Sequence, residues 1–245
     1  MSADVAAFFD LDGTLLPAPS LERRFFGSLR ANGAIPYSNY LLWAVEALRL
    51  LPSGLRAIGH ANKRYLTGLN ADLVLQHSGS LAFFEEGVDR VAWHARQFHQ
   101  LVLVTGTLKP LAQLAAAALE CELEIRGLQT HLHILATQPA ESRGYWTGRL
   151  AGGALYGAAK KTEVRELADA RQWKLLRCHG YGNSPLDAHF LSVVGHGHAV
   201  NPGPELAAIA NRHDWPIWHW HQEKRLPARA DSNCVSKIHS VEGQA

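Results

Sequence analysis

The chain opens on Val5-Ala-Ala-Phe-Phe9, an unbroken apolar run of β-forming residues that predicts a strand buried on both faces. It stops at Asp10-Leu-Asp-Gly-Thr14, where Gly13 permits a turn. From about Ser20 to Phe84 the pattern becomes helical. Tyr37, Tyr40/Leu41, Ala44, Leu48 and Leu51 recur at the three-to-four spacing of one helix face, and packing between helices is the expected use of that face. Pro36 suits a first turn, while Pro52 and Gly54 break the run. Further helices are predicted over 55–66 and 71–84. No strand signal interrupts this stretch, so it reads as an all-helical insertion.

A helix over 88–99 then feeds Leu101-Val-Leu-Val104, a second buried strand followed by Thr105-Gly-Thr107. A helix over 108–119 has Pro110 in its first turn. Residues 122–150 alternate and predict a small β excursion. A helix over 158–173 carries Lys160 near its start, and 175–178 reads as a third core strand leading into Gly180-Tyr-Gly-Asn-Ser-Pro-Leu-Asp187. A strand over 198–201, a helix over 205–212 and a strand over 216–220 complete the pattern. Strands alternating with helices imply a doubly wound α/β fold with a mostly parallel sheet. The expected organisation is an α/β core from 1–16 and 88–221, a helical insertion at 17–87 and a polar, frayed tail at 222–245.

Composition narrows the field. The 245 residues are 47% hydrophobic and 19% charged, which supports a substantial core and rules out a disordered polyelectrolyte. Lys+Arg 24 against Asp+Glu 22 leaves a net charge of +2, with no basic run to grip a phosphate backbone, so no nucleic-acid partner is expected. Three well-separated cysteines, Cys121, Cys178 and Cys234, make no CxxC pair and suggest a reduced, cytoplasmic setting. No stretch reaches the roughly 18 apolar residues of a membrane helix, and the start reads as lacking a basic leader. No membrane association is expected.

Four polar clusters fall where strand ends or helix starts would gather them: Asp10/Asp12, Thr105, Lys160, and Asn183 with Asp187. In this order they resemble the haloacid dehalogenase-like (HAD) superfamily. There a DxDGT motif ends the first strand, a Ser/Thr ends the second, a Lys follows, and an acidic motif ends a later strand. Phe8-Phe-Asp-Leu-Asp-Gly-Thr14 matches the first motif without a gap. The resemblance covers roughly 5–221. Helices between the first two motifs, together with Tyr145-Trp-Thr-Gly-Arg-Leu150, Gly157-Ala-Ala-Lys160, Tyr181-Gly-Asn-Ser184 and Ala199-Val-Asn-Pro202, look like the phosphoserine-phosphatase-like branch, subfamily IB. That implies a HAD-like core with a C1-type helical cap after the first strand.

The resemblance implies a Mg²⁺-dependent phosphatase acting on a small phosphorylated metabolite. Asp10 would be the nucleophile that becomes an aspartyl-phosphate, and Asp12 the general acid and base. Thr105, Gly106 and Lys160 would bind the phosphate. Asp10, the backbone carbonyl of Asp12, Asn183 and Asp187 would serve the metal. The physics agrees, because a carboxylate attacking a dianion needs its repulsion cancelled by cations and hydrogen-bond donors. Many relatives carry Asp-Ser-x-x-Asp where this chain has Asn183-Ser-Pro-Leu-Asp187. An amide oxygen still coordinates Mg²⁺ but brings no charge. Two other readings are a phosphotransferase on the same scaffold and a phospho-ligand binding protein with weakened catalysis.

Substrate contacts from the cap would come from Glu22, Arg23, Arg24, Lys63 or Arg64. Glu22 and Arg64 are the pair an amino-acid phosphoester would need. The fourteen histidines include the spaced pairs His131/His133, His196/His198 and His219/His221. None is joined by a carboxylate or cysteine at ligand spacing, so no zinc set is expected.

Overall fold

The computed structural model describes residues 4–73 and 81–221. A six-stranded sheet has the order β3-β2-β1-β6-β7-β8, and every neighbouring pair is parallel. Its strands are β1 (Ala6–Phe9), β2 (Gln100–Leu108), β3 (Leu132–Thr137), β6 (His179–Gly182), β7 (His196–Val200) and β8 (Ile217–Trp218). Helices α1 (Leu21–Ala31), α2 (Tyr37–Leu50) and α3 (Leu55–Ala61) run between β1 and β2, followed by α4 (Glu85–Arg96). Helices α5 (Lys109–Ile125), α6 (Ala158–Ala170), α7 (Ala188–Leu191) and α8 (Pro204–Arg212) connect the later strands.

Alternation in β1 divides the core. Ala7 and Phe9 join one apolar cluster with Val88 and Val91 of α4, while Ala6 and Phe8 join another with Val164 and Ala168 of α6. A strand apolar on both faces therefore sits between helices on both faces, as the doubly wound reading requires. No helix among the described residues is long and apolar enough to cross a membrane.

Several elements depart from expectation. The stretch 175–178 is not a strand: Leu175–Arg177 close one 3₁₀ turn, and the strand begins at His179. Its His-Gly-Tyr-Gly sequence has weak β propensity. Those glycines are needed for packing, because a Cβ on Gly180 would lie 3.0 Å from both Leu191 and Val194. Helix α5 continues beyond 119 to Ile125 because Cys121 and Leu123 extend its buried face.

The expected β excursion separates into β3, which joins the main sheet beside β2, and a hairpin of β4 (Pro139–Ser142) and β5 (Tyr145–Leu150). Arg143 and Gly144 turn that hairpin with φ of 54° and 80°, the positive values a tight two-residue loop needs. The helix predicted over 55–66 ends at Ala61. There the Asn62 amide donates to Trp43 O at 2.8 Å, and its Oδ1 accepts from Arg64 N at 3.2 Å. Of the helix predicted over 71–84, residues 74–80 lie outside the described residues and 81–84 are not helical. The tail expected at 222–245 also lies outside them.

The apolar face of α2 is turned outward: Tyr37, Leu41, Val45 and Leu48 are exposed. The residue it buries is Asn39, whose amide donates to Tyr65 O and Thr67 O at 3.1 and 2.7 Å. Fixing this helix by its polar side leaves the apolar stripe uncovered among the described residues.

Between α4 and the sheet lies a layer of aromatic and imidazole rings. Tyr181 stacks between Phe9 and His198 at centroid distances of 4.7 and 4.5 Å. Burial, above all, drives His94 down to about 2, His198 to about 3 and His179 to about 4. The layer packs as neutral rings.

Candidate active site

The crevice lies at the carboxyl edge of the sheet, where β1 is flanked by β2 on one side and β6 on the other. Such a switch point leaves a gap above the strand ends, because the connections leave in opposite directions. Asp10 follows β1 directly, and its backbone N–H donates to Tyr181 O at 2.9 Å. Strand β2 runs past Thr105 with a register shift between Thr105 and Leu108. That irregularity turns Thr105, Gly106 and Thr107 toward the crevice, and all three line it.

Lys160, in the first turn of α6, reaches the same point from the other side of the sheet. Its Nζ donates to Asp10 Oδ1 at 2.6 Å and Asp187 Oδ1 at 2.7 Å, and all three residues are at most 5% exposed. Thr14 Oγ1 donates to the other Asp10 oxygen at 3.0 Å. Asp187 Oδ2 accepts from Ser184 N, Ser184 Oγ and Asn183 N at 2.9, 2.8 and 3.2 Å, so this carboxylate folds the 183–187 loop around itself. Gly13, at φ +86°, lies so close to the Asn183 amide that a Cβ would stand 2.0 Å from Nδ2. Glycine there brings Asn183 against the Asp10–Asp12 loop.

The charges are unevenly matched. Asp10, Asp12 and Asp187 bring three carboxylates to the one ammonium of Lys160. Burial first, then the Asp187 charge, pushes the Asp10 carboxyl up to about 7 against the pull of Lys160. Burial alone would lower the Lys160 ammonium, but Asp10 and Asp187 hold it above its ordinary range. The cluster is short of positive charge, and its donors are hard oxygens. That set fits Mg²⁺.

Asp12 is held differently. Its Oδ2 accepts from Thr107 Oγ1 at 2.5 Å and its Oδ1 from Leu21 N, the first residue of α1, at 2.7 Å. The position of α1 therefore sets the orientation of this carboxylate.

Opposite these groups, Phe26, Trp43, Ile58, His60 and Tyr156 complete a cavity of about 620 Å³. The His60 ring stacks on Tyr156 with centroids 4.5 Å apart, joining α3 to the loop before α6 across the opening. Glu22 lines the cavity, but its Oε1 accepts from Lys63 Nζ at 2.5 Å and Tyr65 Oη at 3.0 Å. Lys63 is itself 2% exposed.

Asp10, Asp12, Thr105, Gly106, Lys160, Asn183, Asp187 and Glu22 thus all line one crevice. Arg64 does not: its guanidinium donates to Glu46 Oε2 of α2 at 3.3 Å, outside the crevice lining. The 3₁₀ turn Arg64–Leu66 sends neighbouring side chains in different directions, so Lys63 and Tyr65 meet Glu22 while Arg64 faces α2. Sequence reasoning missed Thr107, His60, Tyr65 and Tyr156. Only Thr107 carried a signal, as the second hydroxyl of Thr105-Gly-Thr107.

The family pattern of haloacid dehalogenase-like hydrolases matches residues 7–192. Phosphoserine phosphatase SerB1 of Mycobacterium tuberculosis is 29% identical over 217 residues, covering 86% of this chain and 70% of the relative. The inhibition of morphological differentiation protein of Streptomyces azureus is 27% identical over 241 residues, covering 91% and 81%. In fold, the chain is similar to a Bordetella pertussis protein of unknown function, with TM-score 0.65 and 23% identity over 87% of this chain and 97% of that one. It is also similar to a phosphoserine phosphatase solved as a phospho-aspartyl intermediate analogue, with TM-score 0.59 and 15% identity over 90% and 95%.

Proposed function

The chain belongs to the haloacid dehalogenase-like hydrolase family, and from that premise we propose that it is a Mg²⁺-dependent phosphatase hydrolysing a small phosphomonoester through an aspartyl-phosphate on Asp10. One observation carries the reading. A buried carboxylate at the tip of the central strand is bonded to a buried lysine, with a second carboxylate held by Thr107 in the same crevice. An Asp10 oxygen attacks phosphorus while the bond to the leaving oxygen breaks, and Asp12 gives its proton to that alkoxide. Asp12 then takes a proton from water, whose oxygen attacks phosphorus. The phosphorus–Asp10 bond breaks, releasing phosphate and restoring the carboxylate.

Thr105, the Gly106 backbone and Lys160 bind the phosphoryl oxygens. Asp10, the Asp12 carbonyl and Asn183 would hold Mg²⁺, which supplies charge neutralisation at the phosphoryl group. Asp187 serves this arrangement chiefly as the anchor of Lys160 and of the 183–187 loop, whose Asn183 and Ser184 N–H groups and Ser184 hydroxyl it gathers. Helices α1, α2 and α3, inserted after β1, act as the cap that excludes water.

The rest of the substrate meets Phe26, Trp43, Ile58 and Tyr156. An amino-acid ammonium finds no free acid in Glu22, because Lys63 already neutralises it. The alcohol portion is therefore read as partly apolar and without an ammonium group, in a cavity that Arg23 also lines. A panel of phosphometabolites and an aryl phosphate, assayed for phosphate release with and without Mg²⁺, tests the proposal. Wild type should turn over and Asp10→Asn should not; unchanged activity in that variant would overturn the mechanism.

A further inference from the structure

Between α4 and the lower half of the sheet the fold assembles histidines that the sequence keeps apart. His94 is on α4, His99 just before β2, and His179 at the start of β6. His179 pairs with Ala7 on β1, three residues short of Asp10, so the group lies about 10 Å from the catalytic edge along the strands. Each of the three offers a ring nitrogen within 4.8 Å of the others.

Two features of the cluster point to a ligand. His94 Nδ1 and His99 Nδ1 face each other at 2.8 Å, a distance that requires one proton between two nitrogen lone pairs. A cation can take that proton's place. Among the described residues His179 Nδ1 is buried with no hydrogen-bond partner, a state that costs roughly 1–3 kcal/mol and that coordination through this atom would relieve. The outer arrangement is already present: His94 Nε2 lies 2.9 Å from Tyr181 Oη, which can accept its N–H and fix the tautomer that presents Nδ1 inward.

We propose that His94, His99 and His179 form a binding site for a borderline divalent transition metal, Zn²⁺ foremost, separate from the catalytic crevice. Three imidazoles without a carboxylate or thiolate make an all-nitrogen set, which discriminates against the oxygen-seeking Mg²⁺. Bonds of about 2.0–2.1 Å place ligand nitrogens roughly 3.4 Å apart, so the His94–His99 pair, at 2.8 Å, must part slightly while His179, within 4.8 Å, draws in by at most about 1.4 Å. His99 and His179 are only half-buried and stack on each other, so these adjustments are small shifts of rings already in contact. The fourth position is left to water, as in open three-histidine sites.

The test uses the full-length, untagged protein, stripped with chelator and titrated with Zn²⁺ in excess Mg²⁺ by calorimetry. Thermal unfolding is followed in parallel, and Co²⁺ absorption reports tetrahedral nitrogen coordination. Wild type should bind one equivalent and be stabilised by it. His99→Gln and His179→Gln should each weaken binding more than about tenfold and lose that stabilisation, while Asp10→Asn keeps both. Unfolding without Zn²⁺ shows that the variants remain folded, and His99→Gln, at a half-exposed position, is the variant least disruptive to the core. The proposal is overturned if wild type takes up no Zn²⁺, if both histidine variants bind it as wild type does, or if Cys234→Ser abolishes binding that they retain.

Discussion

Asp10→Asn should stabilise the metal-free protein at neutral pH while removing its activity, and the gain should disappear in acid. Asp10 is 5% exposed, and burial with the neighbouring Asp187 charge raises its carboxyl from 3.8 to about 7. A carboxyl whose folded pKa lies above its unfolded one binds more protons folded than unfolded between the two values. Stability therefore falls as pH rises through that window. At about 1.4 kcal/mol per pH unit, the full window is worth on the order of 4 kcal/mol.

Asparagine does not titrate. Its Oδ1 can still accept from Lys160, and its amide can donate to Thr14 Oγ1, so the local bonds survive. Lys160 also keeps Asp187 at 2.7 Å. The measurement is urea unfolding of both proteins in chelator at about pH 4, 6 and 8. The stability of the variant relative to wild type should rise by on the order of 4 kcal/mol from the acid to the alkaline end, and added Mg²⁺ should narrow the gap. Parallel pH profiles for the two proteins would refute the reasoning, since they would show that ionising Asp10 costs the metal-free fold nothing.

Four further outcomes follow from the same geometry. Asn183→Asp should tighten Mg²⁺ activation without abolishing turnover; a magnesium titration that does not shift would remove position 183 from the ligand set. Thr107→Val removes the hydroxyl that holds Asp12, and steady-state kinetics should show kcat falling roughly ten- to a hundredfold with KM little changed. Lys63→Met leaves Glu22 without its cation and should cost roughly 2–4 kcal/mol in urea unfolding. Arg64→Ala, which breaks a more exposed pair with Glu46, should cost under about 1 kcal/mol and leave KM alone. Equal effects of the last two would contradict the orientations described.

What the sequence by itself determined is local and periodic. The alternation of Ala6 and Phe8 against Ala7 and Phe9 marks a strand covered on both sides, and the order of the polar clusters places them at strand ends. A parallel sheet brings those ends to one edge whatever its loops do, so Asp10, Thr105 and Asn183 were legible together. Tertiary structure decided everything that depends on a partner far along the chain. Strand β6 is rich in glycine because a helix closes onto it, and local propensity reads glycine as a break. The α2 stripe looks like a core face, yet Asn39 is the side chain its neighbours bury. Lys63 rather than Arg64 meets Glu22, because a single 3₁₀ turn rotates adjacent side chains apart. His94, His99 and His179 share no spacing at all; only the packing of α4 on the sheet brings their rings together. Periodicity reports which way a backbone can present its side chains, whereas the identity of the group opposite is fixed by contacts that form only when the layers close.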